Sequence, residues 1–398
     1  MRARNVLLGA ASGFAAGYLA ARAYEAFCEL RAPTARRSDD AARYGRTRRA
    51  LEVAGTVQGI CGAIAIAYGA LGERADRATM RAPAWIRPAL FVIPLSLCGA
   101  VVAMPASYVA DFVLERRYGL TEQTPAAWLR DYVKGSLIST IVTTIGASLL
   151  GAAVRKAPKA WPLYATIGAL PLFLAGNLVV PVYVLPLFNR FEPLAGELEV
   201  RLRRLASRFG VGDADILTMD MSRQTRKANA FVVGVANTHR IVLSDTLIDK
   251  FPHDEIEFIV AHELGHYVSR DVWRLIGVGD LVAGALFFIA NALGGPRDGM
   301  RDRPLALARL YATMVVATQA LRPLLFAFSR SREVAADAFA AEATQDPASG
   351  AAAFRRLRDQ NLAEDEVPRW YEIFFSSHPS LRSRIDGLEA TRSSVSST

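Results

Sequence analysis

Cysteine is nearly absent from the 398-residue sequence, and the three that occur, Cys28, Cys61 and Cys98, stand alone within or beside apolar segments. This spacing excludes a disulfide framework or a cysteine metal cluster and leaves them as packing residues. Histidine is scarce too, with five residues, so each can be weighed singly. Internal repeats and long low-complexity segments are missing; short Ala-rich stretches such as 335–343 suit helices. No zinc knuckle, RNP motif or recognition helix accompanies the net charge of +9 and pI near 9.7. The arginines sit mainly in short runs beside apolar stretches, such as 43–49, so headgroup contact explains them and no nucleic-acid partner is expected.

Charge itself is what several long stretches lack. Residues 5–21, 53–72, 88–110, 136–154 and 160–188 are uncharged, and a helix needs roughly 17–25 residues to cross a bilayer. With 52% hydrophobic residues, the chain reads as a mainly α, multi-pass membrane protein. Residues 5–21 follow Arg2 and Arg4 and suit a signal peptide or an anchor; an anchor is expected, because the later spans need no cleaved export signal. Two weaker apolar stretches, 275–293 and 305–328, flank a Gly/Pro/Arg/Asp turn and bring the expected number of transmembrane helices to about seven. They contain Asp280, Arg309 and Arg322, which must face a partner, an aqueous cavity or the interface.

Between them the chain changes character. Leu198, Leu202, Leu205 and Phe209 form a helical stripe closed by Gly210. Residues 230–235 and 240–243 read as strands joined by a tight turn at 236–239. A helix starts near Asp254 and carries Ile256, Ile259, Val260 and Leu264. Past Ser329 the chain reads as soluble and helical, ending in a disordered tail, 393–398. The expected organisation is five transmembrane helices in 1–188, a first catalytic part with a small sheet in 189–272, a membrane hairpin in 273–329, and a second catalytic part in 330–398.

The chemistry begins at His262-Glu263-Leu264-Gly265-His266. On a helix, positions i and i+4 share a face, so both imidazoles can reach one zinc ion while Glu263 stands beside it to hold a water. A catalytic zinc needs a third protein ligand and an open position. Glu333 supplies the candidate, with Asp337 one turn on, placed to accept a hydrogen bond from the far ring nitrogen of a ligand histidine. The bland alternative is a solvated carboxylate pair on an amphipathic helix. Topology favours the ligand: two membrane crossings separate His266 from Glu333, which returns them to the same side. Bound zinc would lower the pKa of water to about 7 and polarise a peptide carbonyl. Glu263 would take the water's proton and pass it to the leaving amine. His239 sits in a turn and His253 at a helix start, so His378 is the candidate donor to the oxyanion, against a plain surface or capping role. The strand from Asn229 to Gly234 precedes the metal helix, and its edge could pair with an extended peptide or serve only as hairpin structure.

Several separated segments resemble the type I CAAX prenyl proteases, integral-membrane zinc endopeptidases with seven spans. They are Glu115-Arg116-Arg117-Tyr118-Gly119-Leu120, Phe188-Asn189-Arg190-Phe191-Glu192-Pro193-Leu194, Asn229-Ala230-Phe231, the HExxH, Phe328-Ser329-Arg330 leading to Glu333 and Asp337, and His378-Pro379 with Arg384. The resemblance implies one zinc held by His262, His266 and Glu333, with Glu263 catalytic. It places Asn229 and Ala230 on the substrate-pairing strand, and His378 and Arg384 near the scissile bond. It also implies a water-filled chamber among the helices, with the metal inside and room to solvate Asp280 and Arg322. Lys and Arg are balanced between the two sides of the membrane, so charge does not orient the chain; the family implies a site facing the cytoplasm. The Ala/Arg-rich composition is that of a bacterial member in the cell membrane. Substrates expected are prenylated or other membrane-associated peptides, with membrane-protein quality control, as in the heat-shock-type membrane peptidases, as the alternative. A catalytically silent scaffold or transporter is the alternative of another class, disfavoured by the intact His262, Glu263, His266 and Glu333.

Overall fold

The structure, a computed structural model, describes residues 37–233, 239–295 and 300–395. The uncharged run at 5–21, Cys28 and the turn residues 236–238 lie outside the described residues.

Helix α1 (Arg37–Tyr68) ends where the chain bends into α2 (Ala70–Thr79). Glycine is required at that bend, because a Cβ at Gly72 would collide with the Ile66 carbonyl oxygen. Helix α3 (Arg87–Tyr108) runs on through a π-helical turn, Val109–Val113, to Arg117. Helix α4 (Pro125–Lys156) starts at Pro125, with the Thr124 hydroxyl accepting from the Ala127 N–H as its cap. Helix α5 (Trp161–Val179) completes the N-terminal membrane set.

The chain then leaves the apolar pattern. Strand β1 (Phe191–Pro193), helix α6 (Glu197–Ser207), β2 (Asp215–Met219), β3 (Ala230–Val233) and β4 (Arg240–Ser244) form a four-stranded sheet in the order β1-β2-β4-β3 with α6 beside it. Strands β2 and β4 are parallel, while the outer pairs are antiparallel. Among the described residues, strand β3 therefore ends the sheet with one open edge. Next come α7 (Asp245–Lys250), α8 (His253–Val268), α9 (Asp271–Gly294), α10 (Pro304–Thr344), α11 (Pro347–Asn361), α12 (Arg369–Phe375) and α13 (Leu381–Val395). The terminal helix reaches Val395, three residues into the stretch expected to be a disordered tail.

Among the described residues, six helical segments are long and apolar enough to span a bilayer: Asp40–Tyr68, Arg87–Arg117, Pro125–Lys156, Trp161–Leu187, Asp271–Leu293 and Pro304–Thr344. Their outer faces carry exposed Val101, Ile141 and Leu281, the reverse of a water-facing surface and suited to lipid. The last segment passes Ser329, where the apolar stretch ends, without a break in the helix. Helix α10 is one continuous helix of 41 residues, roughly 60 Å at 1.5 Å per residue, twice the hydrocarbon thickness. No glycine breaks it and the 335–343 stretch is alanine-rich, so the helix continues out of the apolar zone until Gln345 turns left-handed at φ 55°. Its first turn is pinned by buried Asp76, which accepts from the Leu305 N–H at 3.0 Å and from Arg303 Nε at 2.7 Å.

One hydrophobic core unites the sheet with the later helices. Leu198, Leu202 and Leu205 meet Ile216, Ile241 and Leu243 of the sheet, Ile256, Val260 and Leu264 of α8, and Ala340, Phe354 and Leu388. Each fully buried aliphatic side chain contributes about 1.5–3 kcal/mol, enough for α8 to be held on several sides at once.

A cavity of about 1050 Å³ lies among the membrane helices, lined by residues that include Phe91, Tyr132, Thr140, Leu150, Leu172 and Met314. His262, His266, Glu333, Asp280 and Arg322 are not among the residues that line this cavity. Asp280 Oδ1 is buried without a hydrogen-bond partner, whereas Arg322 donates to Gln319 Oε1 at 3.2 Å and stacks 4.5 Å from the Phe375 ring centroid. Arg309 finds a partner in the Ala67 carbonyl, 3.2 Å away.

Candidate metal centre and active site

Helix α8 presents His262 and His266 one turn apart, with ring centroids 4.8 Å apart and planes perpendicular. Gly265, between them in sequence, lies against α10. A Cβ there would stand 3.0 Å from the Phe339 ring and 3.3 Å from the Ala336 α-carbon, so glycine lets the two helices approach this closely. Glu333 of α10 then reaches both rings: Oε2 is 3.4 Å from His262 Nε2 and Oε1 is 3.4 Å from His266 Nε2. One ligand atom from each of the three residues lies within 4.8 Å of the others. Glu333 Oε2 is buried and accepts no hydrogen bond, an arrangement that costs free energy unless a cation completes it.

Both rings are turned so that Nδ1 faces away from Glu333 and meets a carboxylate. For His262 the partner is Asp337 Oδ1 at 2.8 Å, as the sequence spacing predicts. Asp337 is in turn gripped by Arg384, at 2.8 Å from Nε and 2.6 Å from Nη2. Arg384 is buried, stacks 4.1 Å from the Phe354 ring centroid, and brings Nη1 to 3.6 Å from Glu333 Oε2. For His266 the partner is Asp271 Oδ2 at 3.0 Å, a residue that sequence reasoning missed.

The surroundings set the charge states. Burial alone would push the His262 imidazole down, but the Asp337 and Glu333 carboxylates beside it outweigh that and raise its pKa to about 9. His266 is raised as well, burial again being overcome, chiefly by Glu333. The acidic surroundings thus favour positive charge between the rings. Glu263 is pushed above the ordinary glutamate range by burial, with the two histidines opposing the shift.

His378 comes from the loop after α12. Its Nε2 is 3.5 Å from Glu333 Oε1, while the Ser377 hydroxyl is 2.9 Å from its Nδ1. The side chain is 60% exposed, so it can meet a ligand. Its pKa is lowered, first by partial loss of solvent around the ring as it leans on the site and then by neighbouring Arg384 and the histidines against Glu333. Arg330 explains how the loop is held: from α10, nearly one turn before Glu333, Nη1 donates to the Glu372 and Ser376 carbonyls at 2.7 and 2.9 Å.

Asn229 directly precedes edge strand β3, and its backbone pairs with Ser244 through both N–H and C=O. Ala230 lies opposite Leu243. The segment before them is braced against the membrane helices. Lys227 Nζ donates to Tyr44 Oη at 2.7 Å and Glu115 Oε1 at 2.9 Å, and Tyr44 donates to Glu115 at 2.5 Å. The Leu120 carbonyl accepts from the Arg226 N–H at 2.8 Å. The segment from Glu115 to Leu120 is therefore a seam between membrane helices and sheet.

Comparison with known proteins agrees with this arrangement. The family model described as peptidase family M48 matches residues 193–392, and that of the CAAX prenyl protease N-terminal region, five membrane helices, matches 33–190. The chain is 31% identical over 310 residues to an uncharacterized metalloprotease, YhfN, of Bacillus subtilis, covering 75% of this chain and 72% of that protein. It is 30% identical to a CAAX prenyl protease 1 homolog of Oryza sativa, over 80% of this chain and 77% of the other. Its fold matches the crystal structure of S. mikatae Ste24p with a TM-score of 0.76 at 21% identity, over 95% of this chain and 98% of that one. With its bilayer-spanning helices and its His-His-Glu cluster, this chain belongs to peptidase family M48, as a multi-pass membrane metalloendopeptidase that acts on peptides or proteins.

Proposed function

We propose that the chain hydrolyses peptide bonds with one zinc ion held by His262, His266 and Glu333. The observation that carries this reading is that each histidine Nε2 stands 3.4 Å from a different oxygen of Glu333, one of which is a buried acceptor without a donor. One ligand atom from each residue lies within 4.8 Å of the others, so a small inward movement of the side chains would bring two imidazoles and one carboxylate, a donor set that suits zinc, around a single ion. Zinc supplies Lewis acidity, which activates water near neutral pH and polarises the scissile carbonyl.

The protein's own groups do the rest. Glu263, half-buried beside the first ligand, accepts a proton from the attacking water and returns it to the leaving amine. His378 donates to the developing oxyanion from the opposite rim. Asp337 orients His262, and Arg384, at the ligand set near the scissile bond, orients Asp337 and offsets the negative charge of Glu333. The open edge of β3, entered through Asn229 and Ala230, pairs with an extended substrate backbone. The preferred substrates are prenylated or other membrane-associated peptides, and the catalytic side faces the cytoplasm. The substrate reading is supported by the direct continuation of a membrane helix into the Glu333 segment and by the mainly apolar cavity among the spans, and the sidedness by the resemblance to the CAAX prenyl proteases.

The test is to purify the protein in detergent, quantify bound zinc, and compare peptide cleavage with Glu263→Gln. Zinc near one per chain in both and cleavage lost in the variant are expected, because the amide cannot take the proton and the ligands are untouched. Equal cleavage would remove Glu263 as the base; parent protein without zinc would remove the metal assignment.

A further inference from the structure

We propose that Asp271, backed by Arg332, is a positioning residue for the metal site that fixes His266 as Asp337 and Arg384 fix His262. The inference rests on the assignment of His266 as a ligand and goes beyond it, by naming what holds that ligand in place.

The two histidines have matching surroundings. His262 Nδ1 meets Asp337 at 2.8 Å, and Asp337 meets Arg384 at 2.6 Å. His266 Nδ1 meets Asp271 Oδ2 at 3.0 Å, and Asp271 Oδ1 meets Arg332 Nε at 2.7 Å. In each chain of contacts the carboxylate can accept a hydrogen bond from Nδ1–H, the tautomer in which Nε2, on the Glu333 side, keeps the lone pair needed to bind a metal. The tautomer needed for ligation is thereby set twice, by independent Asp–Arg pairs. Asp271 is 2% exposed, so its charge is kept from water and acts mainly on the ring and on Arg332.

The backbone brings Asp271 to this place by a local device. Five positions along an unbroken helix lie about 140° around the axis, which would aim Asp271 away from the face carrying His266. Helix α8 instead stops at Val268, Arg270 adopts a left-handed conformation at φ 55°, and α9 restarts at Asp271. Arg332 arrives from α10, adjacent in sequence to Glu333. One buried carboxylate therefore ties together the end of the metal-binding helix, the foot of a membrane helix and the helix carrying the third ligand.

A plain structural role competes with this reading, because Asp271 also begins α9, where negative charge favours the helix, and approaches Arg274 at 3.4 Å. Stability alone cannot separate the two, but metal affinity can. Asp271→Ala and Asp271→Asn would be purified in detergent and compared with the parent by chelator competition for zinc and by the visible spectrum of the cobalt-substituted protein. The expected order of affinity is parent, then Asn, which keeps an acceptor but loses the charge, then Ala, about 10–100-fold weaker than the parent, with a shifted cobalt band in both variants. Asn is close in size to Asp and keeps an oxygen toward Arg332, so it carries the test if the alanine variant does not fold. Parent-like zinc affinity and cobalt spectra in the folded variants would overturn the proposal, even with a lowered melting temperature. Absence of metal uptake by the parent would overturn the ligand assignment itself.

Discussion

Gly265→Ala isolates the approach of two helices on which the site depends. The added methyl would lie 3.0 Å from the Phe339 ring and 3.3 Å from the Ala336 α-carbon, against the usual carbon–carbon separation of about 3.5–4.0 Å. The ring can rotate, but the α-carbon belongs to α10 and cannot. Relief therefore requires α8 to move outward by roughly 0.2–0.7 Å. Metal–ligand distances tolerate only about 0.2 Å, and the two histidines ride on α8 while Glu333 stays on α10. Overpacking costs about 1–3 kcal/mol, and the better helix propensity of alanine returns about 0.5–1 kcal/mol. A net destabilisation of roughly 0–2.5 kcal/mol is left, while zinc affinity should fall by at least about tenfold, equivalent to 1.4 kcal/mol. Thermal unfolding in detergent with and without chelator, together with zinc competition, reads both quantities. If Gly265→Ala binds zinc as tightly as the parent, the ligand geometry does not depend on this contact and the reasoning fails. Adding Phe339→Leu should recover only part of the loss, because the Ala336 backbone remains.

Three further outcomes follow from the same geometry. His378→Ala should keep bound zinc and reduce kcat by about 10²–10³, the usual cost of losing one oxyanion donor; metal analysis beside steady-state kinetics checks both halves. The acid limb of kcat/KM should lie above the ordinary glutamate pKa of about 4.3, because Glu263 is raised by burial and must be deprotonated to act; the active fraction grows as pH rises through the raised value, and the limb should vanish from any residual activity of Glu263→Gln. Lys227→Met should destabilise by about 1–3 kcal/mol by depriving buried Glu115 of a donor, and should raise KM more than it lowers kcat, since the segment entering β3 loses its brace while the metal ligands keep theirs.

The parts of this site that were legible in the sequence are those encoded by helical spacing. His262, Glu263 and His266 fall on adjacent turns of one helix, and Glu333 with Asp337 repeats the spacing on another. The apolar stripe of α8, Ile256, Ile259, Val260 and Leu264, is buried as its periodicity demands. Arg384 was placed near the ligands only by family resemblance; its actual grip on Asp337 crosses 47 positions and leaves no local pattern. Asp271 was hidden because five positions along a helix point elsewhere, and only the left-handed turn at Arg270 returns it to His266. Hydropathy marks where the apolar stretch stops, near Ser329, but not where the helix stops, which is at the left-handed turn of Gln345. Packing partners across the fold, such as Lys227 with Glu115 and Tyr44, are likewise invisible to periodicity.

The length of α10 makes the hydrolytic centre answerable to the bilayer. Its Pro304 end is anchored through Asp76, and the Glu333 α-carbon stands roughly 44 Å away at 1.5 Å per residue. Rotating such a rod by about 1° about its anchored end sweeps that carbon through roughly 0.8 Å, more than the coordination shell accepts. Hydrophobic mismatch is relieved by helix tilt, so tilt of this span should be carried toward Glu333, softened at Pro323, where the helix lacks one backbone hydrogen bond.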